Sequence, residues 1–431
     1  MSLTLPRPLA ALLGLAVLAT SAPTLAQPAP APAAVAPSAA VPTPPAPAAA
    51  AASDLSSCLN GLRDDAGRAG VGRAAYTRLT DGLVADLSVI TLLDDQPEFK
   101  TPIWDYLAAL VDEQRVADGQ ARLAEWQDVL AKVAERQGVD AATVVAVWGV
   151  ESDYGRSFGK RPLLVSLGTL SCHGRRQAYF RGEFFSLLKL IEQGDLTVDG
   201  PQGKAGLVGS WAGAFGHTQF MPSTYQRLAL DFDGDGRRDL VASIPDALAS
   251  TAHFLAKAGW KRGQPWGYEV KLPAGFDAAG TGRKAKRSLA DWAARGVTRL
   301  DGKPLAEAGA GAAGLLLPAG PRGPAFLVFS NFDAIYGYNA AESYALAIAH
   351  LSDRLRGGGP LATPWPTDDA GLSRADRREL QRLLAARGHA IGEIDGMLGA
   401  ASRKAIVAEQ QRLGWPADGR AGQKLLKALR G

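Results

Sequence analysis

Apolar residues recur at the spacing of an α-helix through the first part of the chain, residues 53–190. Ile103, Leu107, Leu110 and Val111 form one such stripe. A second stripe follows at residues 123–130. Spacings of three and four residues place side chains on one face of a helix. The pattern predicts that residues 53–190 are mostly helical.

Gly and Pro become frequent in residues 260–328, where the apolar residues occur in short runs. Two of these runs are residues 314–317 and 326–329. Short apolar runs separated by Gly and Pro are typical of strands joined by loops. Helical spacing returns in residues 343–351. The main domain, residues 53–355, is therefore predicted to be mainly α-helical, with a small insertion of strands and loops.

The first 52 residues differ in composition from the rest of the chain. Residues 1–26 carry one cation, Arg7, then an apolar run and small residues, which is the pattern of a secretory signal cleaved after Ala26. The alternative is a retained membrane anchor, but the run is shorter than the ~20 residues that a spanning helix needs. Residues 27–52 are almost entirely Ala, Pro and Val. Such a segment cannot bury enough apolar surface to fold, and we expect an extended, disordered tether.

The end of the chain reads as a linker and a second, small domain. Residues 356–371 concentrate Gly and Pro, and residues 372–431 are near the lower size limit for an independent core. From Gly371 onward the chain has 12 Lys and Arg against 6 Asp and Glu. A basic module suits an anionic polymer such as a cell wall, although a solvated surface explains the charge equally well. The net charge of the whole chain is only +4, which does not favour nucleic acid as a partner.

The chain has two cysteines, Cys58 and Cys172, on either side of a long helical stretch. In an exported protein they are expected to form a disulfide, because the compartment is oxidising. Two buried free thiols are the alternative.

One carboxylate lies on an apolar helix stripe. Asp140 is a suitable N-cap for a helix in which Val144, Val147, Trp148 and Glu151 share one face. Burial of a carboxyl raises its pKa toward the range of a general acid. The alternative is a structural Glu paired with an arginine, and the helix pattern alone does not decide between the two.

The arginines considered as partners of Glu151 are Arg156 and Arg175. Asp153 does not supply a second carboxylate on the face of Glu151, because positions i and i+2 do not share a helix face. If the protein cleaves glycosidic bonds, the single Glu indicates a substrate-assisted reaction, because glycosidases normally use two carboxylates.

A second acidic motif, DFDGDGRRD, resembles the beginning of a calcium loop. Asp231, Asp233 and Asp235 alternate, and a Gly follows where the loop must turn sharply. Position 12 holds Ala242 in place of the bidentate Glu. The predicted ligands of a structural Ca²⁺ are the following: Asp231, Asp233, Asp235, the Arg237 carbonyl, Asp239 and Asp246. An Asp-Gly turn that caps a helix is the alternative.

Three separated segments carry a resemblance to a known family. They are VWGVESDYG around Glu151, SWAGAFGHTQFMPST at residues 210–224, and YNAAESYA at residues 338–345. In this order they resemble the lytic murein transglycosylase B family over residues 53–355. The resemblance implies a lysozyme-like catalytic domain that cleaves the β-1,4 bond between N-acetylmuramic acid and N-acetylglucosamine. It also implies 1,6-anhydro ends, with Glu151 acting first as acid and then as base and with no cofactor in catalysis.

The resemblance further assigns residues to a cleft. Ser210 and Gln219 match groups near the acid and the N-acetyl group, and Tyr338, Asn339 and Tyr344 match residues that line the cleft. From the residues alone, Ser210 and Gln219 fit an ordinary tight turn, and Tyr344 fits a core position. The chain departs from the family at His253 and Phe254, where relatives often have Asn-Tyr.

Residues 372–431 resemble the small three-helix peptidoglycan-binding domain of wall enzymes. The supporting features are helical patterns at residues 377–387 and 402–412, and the Asp-Gly turns at residues 395–396 and 418–419. The resemblance implies wall targeting; a helical cap on the enzyme is the alternative.

Together these features predict a periplasmic lytic transglycosylase without a transmembrane helix after signal removal. Its expected partner is the glycan strand, and proteins of wall synthesis or division are further candidates. A hydrolytic muramidase and a non-catalytic wall-binding scaffold are the competing hypotheses.

Overall fold

The computed structural model describes residues 47–94, 100–198, 206–305 and 311–431. The predicted signal, residues 1–26, and residues 27–46 of the predicted tether lie outside the described residues.

Helices account for most of the regular structure. In chain order they are α1 (Pro47–Gly61), α2 (Arg63–Arg68), α3 (Arg73–Thr80), α4 (Ser88–Asp94), α5 (Ile103–Leu110), α6 (Glu113–Glu125), α7 (Gln127–Gln137), α8 (Ala141–Ser152), α9 (Leu163–Cys172), α10 (Gln177–Glu192), α11 (Pro222–Leu228), α12 (Ile244–Lys257), α13 (Leu289–Ala294), α14 (Ser330–Asn339), α15 (Glu342–Leu355), α16 (Arg374–Ala386), α17 (Ala400–Arg412) and α18 (Gln423–Arg430). The prediction of a mainly helical protein is confirmed.

Helix α1 begins inside the segment predicted as a tether. It starts at Pro47, so the extended conformation predicted for residues 47–52 is wrong. Alanine has the highest helix propensity of all residues, and Pro is well suited to a first helical position. The Ala-rich end of the segment therefore continues the helix that carries Cys58.

The strands form one small pair and one five-stranded sheet. The strands are β1 (Arg161–Pro162), β2 (Val208–Gly209), β3 (Gly267–Lys271), β4 (Gly282–Arg287), β5 (Thr298–Arg299), β6 (Ala313–Leu316) and β7 (Ala325–Val328). β1 pairs with β2, and the sheet has the order β4-β6-β7-β3-β5 with antiparallel neighbours. The predicted insertion of strands and loops is thus a continuous sheet, and α13 packs on it through the buried Trp292.

Two helical cores make up the main domain. In the first, α8 packs against α15, and Val144 through Val147 are fully buried. In the second, α9 packs against α10 and the apolar side of α1. The disulfide Cys58–Cys172 joins α1 to the end of α9 across a Cα–Cα distance of 6.0 Å, as predicted.

Three helices, α16 to α18, form the terminal module around a core that includes Leu380, Ile406 and Leu426. The prediction of a small three-helix domain is confirmed. Within the part of the chain that the structure describes, no helix combines the length and the apolar composition needed to cross a bilayer.

Candidate active site

Glu151 lies in the last turn of α8, a largely buried helix of the main domain. The helix begins where the Asp140 side chain accepts a hydrogen bond from the Thr143 amide, 2.9 Å away, as predicted. It ends where Asp153 and Tyr154 adopt left-handed backbone angles, with φ of 53° and 57°. This turn follows the end of the helix, directly beyond Glu151 and Ser152, and Glu151 is itself half-buried.

The hydroxyl of Tyr344 donates a hydrogen bond to Oε1 of Glu151. Tyr344 is only 3% exposed, and its ring stacks on Tyr338 with 6.4 Å between ring centroids. Burial and, secondarily, the charge of Glu151 raise the pKa of both tyrosines well above its ordinary value. Both hydroxyls therefore stay protonated and can donate, and the arrangement holds the carboxylate from one side.

A loop at residues 210–220 is fixed to the same helix end. Ser152 Oγ donates to the His217 carbonyl over 2.6 Å, and Trp148 Nε1 donates to His217 Nδ1 over 3.0 Å. Burial lowers the pKa of His217 to about 4, so the ring is neutral and can accept this bond. From the other side, the Tyr338 hydroxyl donates to the Thr218 carbonyl over 2.7 Å.

Ser210 and Gln219 stand at the two ends of this loop. Ser210 Oγ accepts from the Ala214 amide at 3.0 Å, and Gln219 Nε2 donates to the carbonyls of Gly216 at 2.9 Å and Phe158 at 3.2 Å. Gln219 also has a left-handed φ of 50°. The bonds to Ala214 and Gly216 stabilise the turn itself, as in any tight turn. The bond to Phe158 holds the loop against the segment that follows α8.

The structure thus brings Glu151, Tyr338 and Tyr344 into direct association, while Asn339 lies exposed at the end of α14. Tyr344 satisfies both interpretations of the sequence, since its ring is core and its hydroxyl reaches the carboxylate. Ser152 and His217 were not predicted. Ser152 precedes the C-cap and His217 lies in the second motif, but nothing in either segment indicated that they would meet.

The arginines considered as structural partners of Glu151 have other contacts. Arg156 binds the carboxylate of Asp118 and lies 3.6 Å from that of Asp153, and Arg175 donates to the Leu93 carbonyl. The hydroxyl of Tyr344 is a described partner that orients the Glu151 carboxylate.

Comparison with known proteins agrees with this geometry. Residues 54–353 match the model of the transglycosylase SLT domain, and residues 373–429 match that of a putative peptidoglycan binding domain. The chain belongs to the transglycosylase SLT family. It is a peptidoglycan lytic transglycosylase, a lyase that acts on a polysaccharide.

Three relatives show how far the likeness extends. Membrane-bound lytic murein transglycosylase B of Escherichia coli is 33% identical over 278 residues, which are 61% of this chain and 73% of that protein. SltB3 from Pseudomonas aeruginosa, in complex with NAG-anhNAM-pentapeptide, is 45% identical, with a TM-score of 0.69 over 88% of this chain and all of that one. The lytic transglycosylase Slt35 of Escherichia coli, in complex with calcium, is 29% identical, with a TM-score of 0.60 over 70% of this chain and 92% of that one.

Three of the acidic residues predicted as metal ligands converge in this transglycosylase. Carboxylate oxygens of Asp231, Asp233 and Asp246 lie within 4.8 Å of one another, with Asp246 fully buried. Asp235 instead accepts from the Arg237 amide at 2.8 Å, and Asp239 accepts from the amides of Val241 and Ala242 at 2.8 and 2.7 Å. The Arg237 side chain lies 3.7 Å from Asp239. The structure therefore groups three of the six predicted ligands. These three also accept hydrogen bonds from backbone amides, as Asp246 does from Phe232 and Asp231 from Gly234.

The family departure at residues 253 and 254 leaves the aromatic cluster in place. Phe254 packs against Tyr338 with 4.6 Å between ring centroids. His253 Nδ1 lies 3.2 Å from Oε1 of Gln137. Phe254 thus supports the face of Tyr338 without a hydroxyl of its own.

Proposed function

We propose that Glu151 is the single acid and base with which this transglycosylase cleaves the β-1,4 bond between N-acetylmuramic acid and N-acetylglucosamine. The proposal includes a 1,6-anhydromuramic acid product. The observation that carries it is the half-buried carboxylate of Glu151, held by the hydroxyl of Tyr344 at the end of a buried helix.

One carboxylate is sufficient if the substrate supplies its own nucleophile. Protonated Glu151 gives its proton to the glycosidic oxygen, and the bond from that oxygen to C1 of the muramic acid breaks. The 6-hydroxyl oxygen of the same sugar then bonds to C1, and its proton passes to the Glu151 carboxylate. No water is consumed, and the acid is regenerated. The N-acetyl carbonyl can stabilise the positive charge at C1 between the two steps.

The contacts of Asp153 support this route over hydrolysis with two carboxylates. Asp153 binds Arg374 and lies 3.9 Å from Arg115 and 3.6 Å from Arg156. A carboxylate that is held by several guanidinium groups is a poor nucleophile or base, because its charge is already neutralised. The anhydro sugar bound to SltB3 is a property of that relative, and it favours the same product here.

The cleft residues are proposed to position the sugars. Tyr338 offers a half-buried aromatic ring beside the acid, Tyr344 holds the acid through its hydroxyl, and Asn339 offers an exposed amide. Ser210 and Gln219 are proposed to contact the N-acetyl region, where the loop at residues 210–220 approaches the segment after α8. The terminal domain is proposed to hold the enzyme on its polymer and so to raise the local substrate concentration.

The test is mass spectrometry of the fragments that the protein releases from purified sacculi. Anhydro products are about 18 mass units lighter than hydrolytic ones, because no water is added. Glu151→Gln is expected to abolish release, Tyr344→Phe to reduce it, and Glu125→Gln, at an exposed pair with Arg122, to leave it unchanged. Reducing ends would establish the hydrolytic muramidase instead. Binding without release by the wild type would establish the scaffold.

We also propose that Asp231, Asp233 and Asp246 hold a structural Ca²⁺. Carboxylate oxygens are the ligands that this hard cation prefers, and three of them converge here. The related Slt35 was solved in complex with calcium. The ion would offset two of the three negative charges and fix the loop to the start of α12; it has no part in the reaction proposed above.

The site of action is proposed to be the periplasm. The predicted signal at residues 1–26 and the disulfide Cys58–Cys172 both suit an exported protein.

A further inference from the structure

Arg374, the first residue of α16 in the terminal domain, is buried against the main domain. Its residue is 9% exposed. The guanidinium donates to Asp112 over 3.1 Å, binds Asp153, and has Asp118 at 3.7 Å. The N-terminal capping box of α16, Ser373 with Asp376, fixes the backbone from which this side chain extends. The capped N-terminus of α16 therefore places the Arg374 guanidinium among three carboxylates.

These carboxylates surround the turn that ends α8. Asp153 is the C-cap, and its amide donates to the Gly149 carbonyl at 3.1 Å. Arg115 donates to the same carbonyl, and the Tyr154 hydroxyl donates to the Arg115 carbonyl at 2.8 Å. Gly149 and Asp153 lie two residues on either side of Glu151. The contacts of Arg374 therefore end at the backbone that orients the catalytic carboxylate.

The charge balance of this group depends on Arg374. Without it, three carboxylates would face Arg115 and Arg156, with the half-buried Arg377 near Asp112 only, and the Arg156 side chain is 48% exposed. An unpaired buried carboxylate is strongly unfavourable, so the turn would open to hydrate it. Asp153 is the most exposed of the three carboxylates, with a side chain that is 20% exposed against 6% for Asp112 and 13% for Asp118. Asp153 is thus the one that would move.

We propose that Arg374 is a positioning residue for Glu151, so that the terminal domain sets the turnover rate of the enzyme and does not only bind the wall. This inference rests on the proposed role of Glu151. A displacement of about 1 Å of a catalytic group can cost about a hundredfold in rate. Loss of the Arg374 contact should therefore appear in kcat, whereas loss of wall binding alone would appear in KM.

The chain offers a matched control in Arg420, a second arginine of the terminal domain that binds the main domain. Arg420 binds Asp105 on α5 over 2.7 Å, with the Asp105 side chain 8% exposed. It therefore crosses between the same two domains without contacting the turn after α8. A comparison of Arg374→Gln with Arg420→Gln separates the positioning of Glu151 from the docking of the domains.

The experiment measures kcat and KM of full-length variants on a soluble tetrasaccharide of two glycan repeats that carries stem peptides. Arg374→Gln is expected to lower kcat by about tenfold to a hundredfold with little change in KM, and Arg374→Lys to recover part of the loss. Arg420→Gln should keep kcat within about twofold of the wild type. Asp153→Asn combined with Arg374→Gln should be no slower than Arg374→Gln alone, because both changes remove the same contact.

Circular dichroism and thermal melting check that each variant is folded at the assay temperature. If Arg374→Gln does not fold, Asp153→Asn alone must lower kcat for the proposal to stand. A folded Arg374→Gln enzyme with wild-type kcat would overturn it, as would an equal loss of kcat in Arg420→Gln. Glu151→Gln is measured alongside: retained cleavage in that variant would refute the proposed function, independently of the result at Arg374.

Discussion

Removal of the disulfide Cys58–Cys172 should cost the protein much of its stability and little of its activity. The perturbation is the double variant Cys58→Ser/Cys172→Ser, which leaves no free thiol. The bridge closes a loop across a sequence separation of 114 residues. In the chain-entropy treatment, a closed loop of this length lowers the entropy of the unfolded state enough to contribute about 5 kcal/mol at 25 °C.

The loss should appear in global unfolding and not in detachment of α1. Leu55 and Leu59 bury this helix, and the Tyr76 hydroxyl donates to the Leu59 carbonyl at 2.6 Å. Each buried leucine contributes about 1.5–3 kcal/mol, so α1 stays docked without the bridge. Because the bridge lies in the core of α9 and α10, and α8 lies in the other core, kcat at 25 °C should be unchanged.

The assay is urea unfolding of the wild type and the double variant, followed by circular dichroism, with the slope and midpoint fitted separately. A steeper slope in the variant would show the more expanded unfolded state that the argument requires. A stability difference below about 1 kcal/mol would refute the reasoning, since an entropic constraint of this loop length could not then be present. A separate early transition would instead show that α1 unfolds by itself.

Two further predictions concern protons and calcium. Since burial lowers the folded-state pKa of His217 to about 4, below the unfolded value of 6.5, its contribution to stability is complete above pH 6.5 and is lost as the pH falls toward 4. The comparison is with His217→Gln, which keeps an acceptor for Trp148 and does not titrate. Relative to that variant, the free energy of unfolding of the wild type, measured in urea, should fall by about 3 kcal/mol over that range. Parallel plots of this free energy against pH for the two proteins would contradict the prediction. For the metal site, Ca²⁺ at about 100 times its Kd should stabilise the wild type by about 2.7 kcal/mol in thermal melting, and a chelator should reverse the effect. Asp231→Asn should abolish the shift and Asp235→Asn should keep it, whereas no shift in the wild type would refute the site.

The sequence predicted best those features that depend on neighbouring residues. The start of α8 follows from Asp140 and the residues directly after it, and the structure has that cap. The partner of Glu151 could not be found in this way, because Tyr344 lies 193 residues further along the chain. Only the family resemblance placed the two residues in one cleft. Apolar periodicity alone predicts that Tyr344 is a core residue. This is correct for its ring but does not reveal the contact of its hydroxyl with Glu151.

The sheet was predicted only as short strands, and its edges explain why. β4 has the sequence GRKAKR, with no apolar alternation, because it is an edge strand. The other edge strand, β5, has two residues, as do β1 and β2 of the separate pair, and two residues are too few for any periodicity. The burial of Arg374 could not be predicted from the sequence either. Arg374 and its partners Asp112 and Asp153 look in the sequence like ordinary surface charges, and only the fold brings them together.

The end of α8 shows why one carboxylate can be placed accurately on a largely helical scaffold. Successive residues of a helix point about 100° apart, so Glu151 and Ser152 face different directions, and the left-handed conformation of Asp153 turns its side chain toward a third. Here Glu151 meets Tyr344 of α15, Ser152 meets the carbonyl of His217, and Asp153 meets Arg374 of α16. Each contact ties the helix end to a different part of the protein, and together they restrict the movement of the Glu151 carboxylate. Weakening any one of the three contacts should therefore lower kcat while leaving the free energy of unfolding nearly unchanged, because the buried part of α8 is held independently by the core.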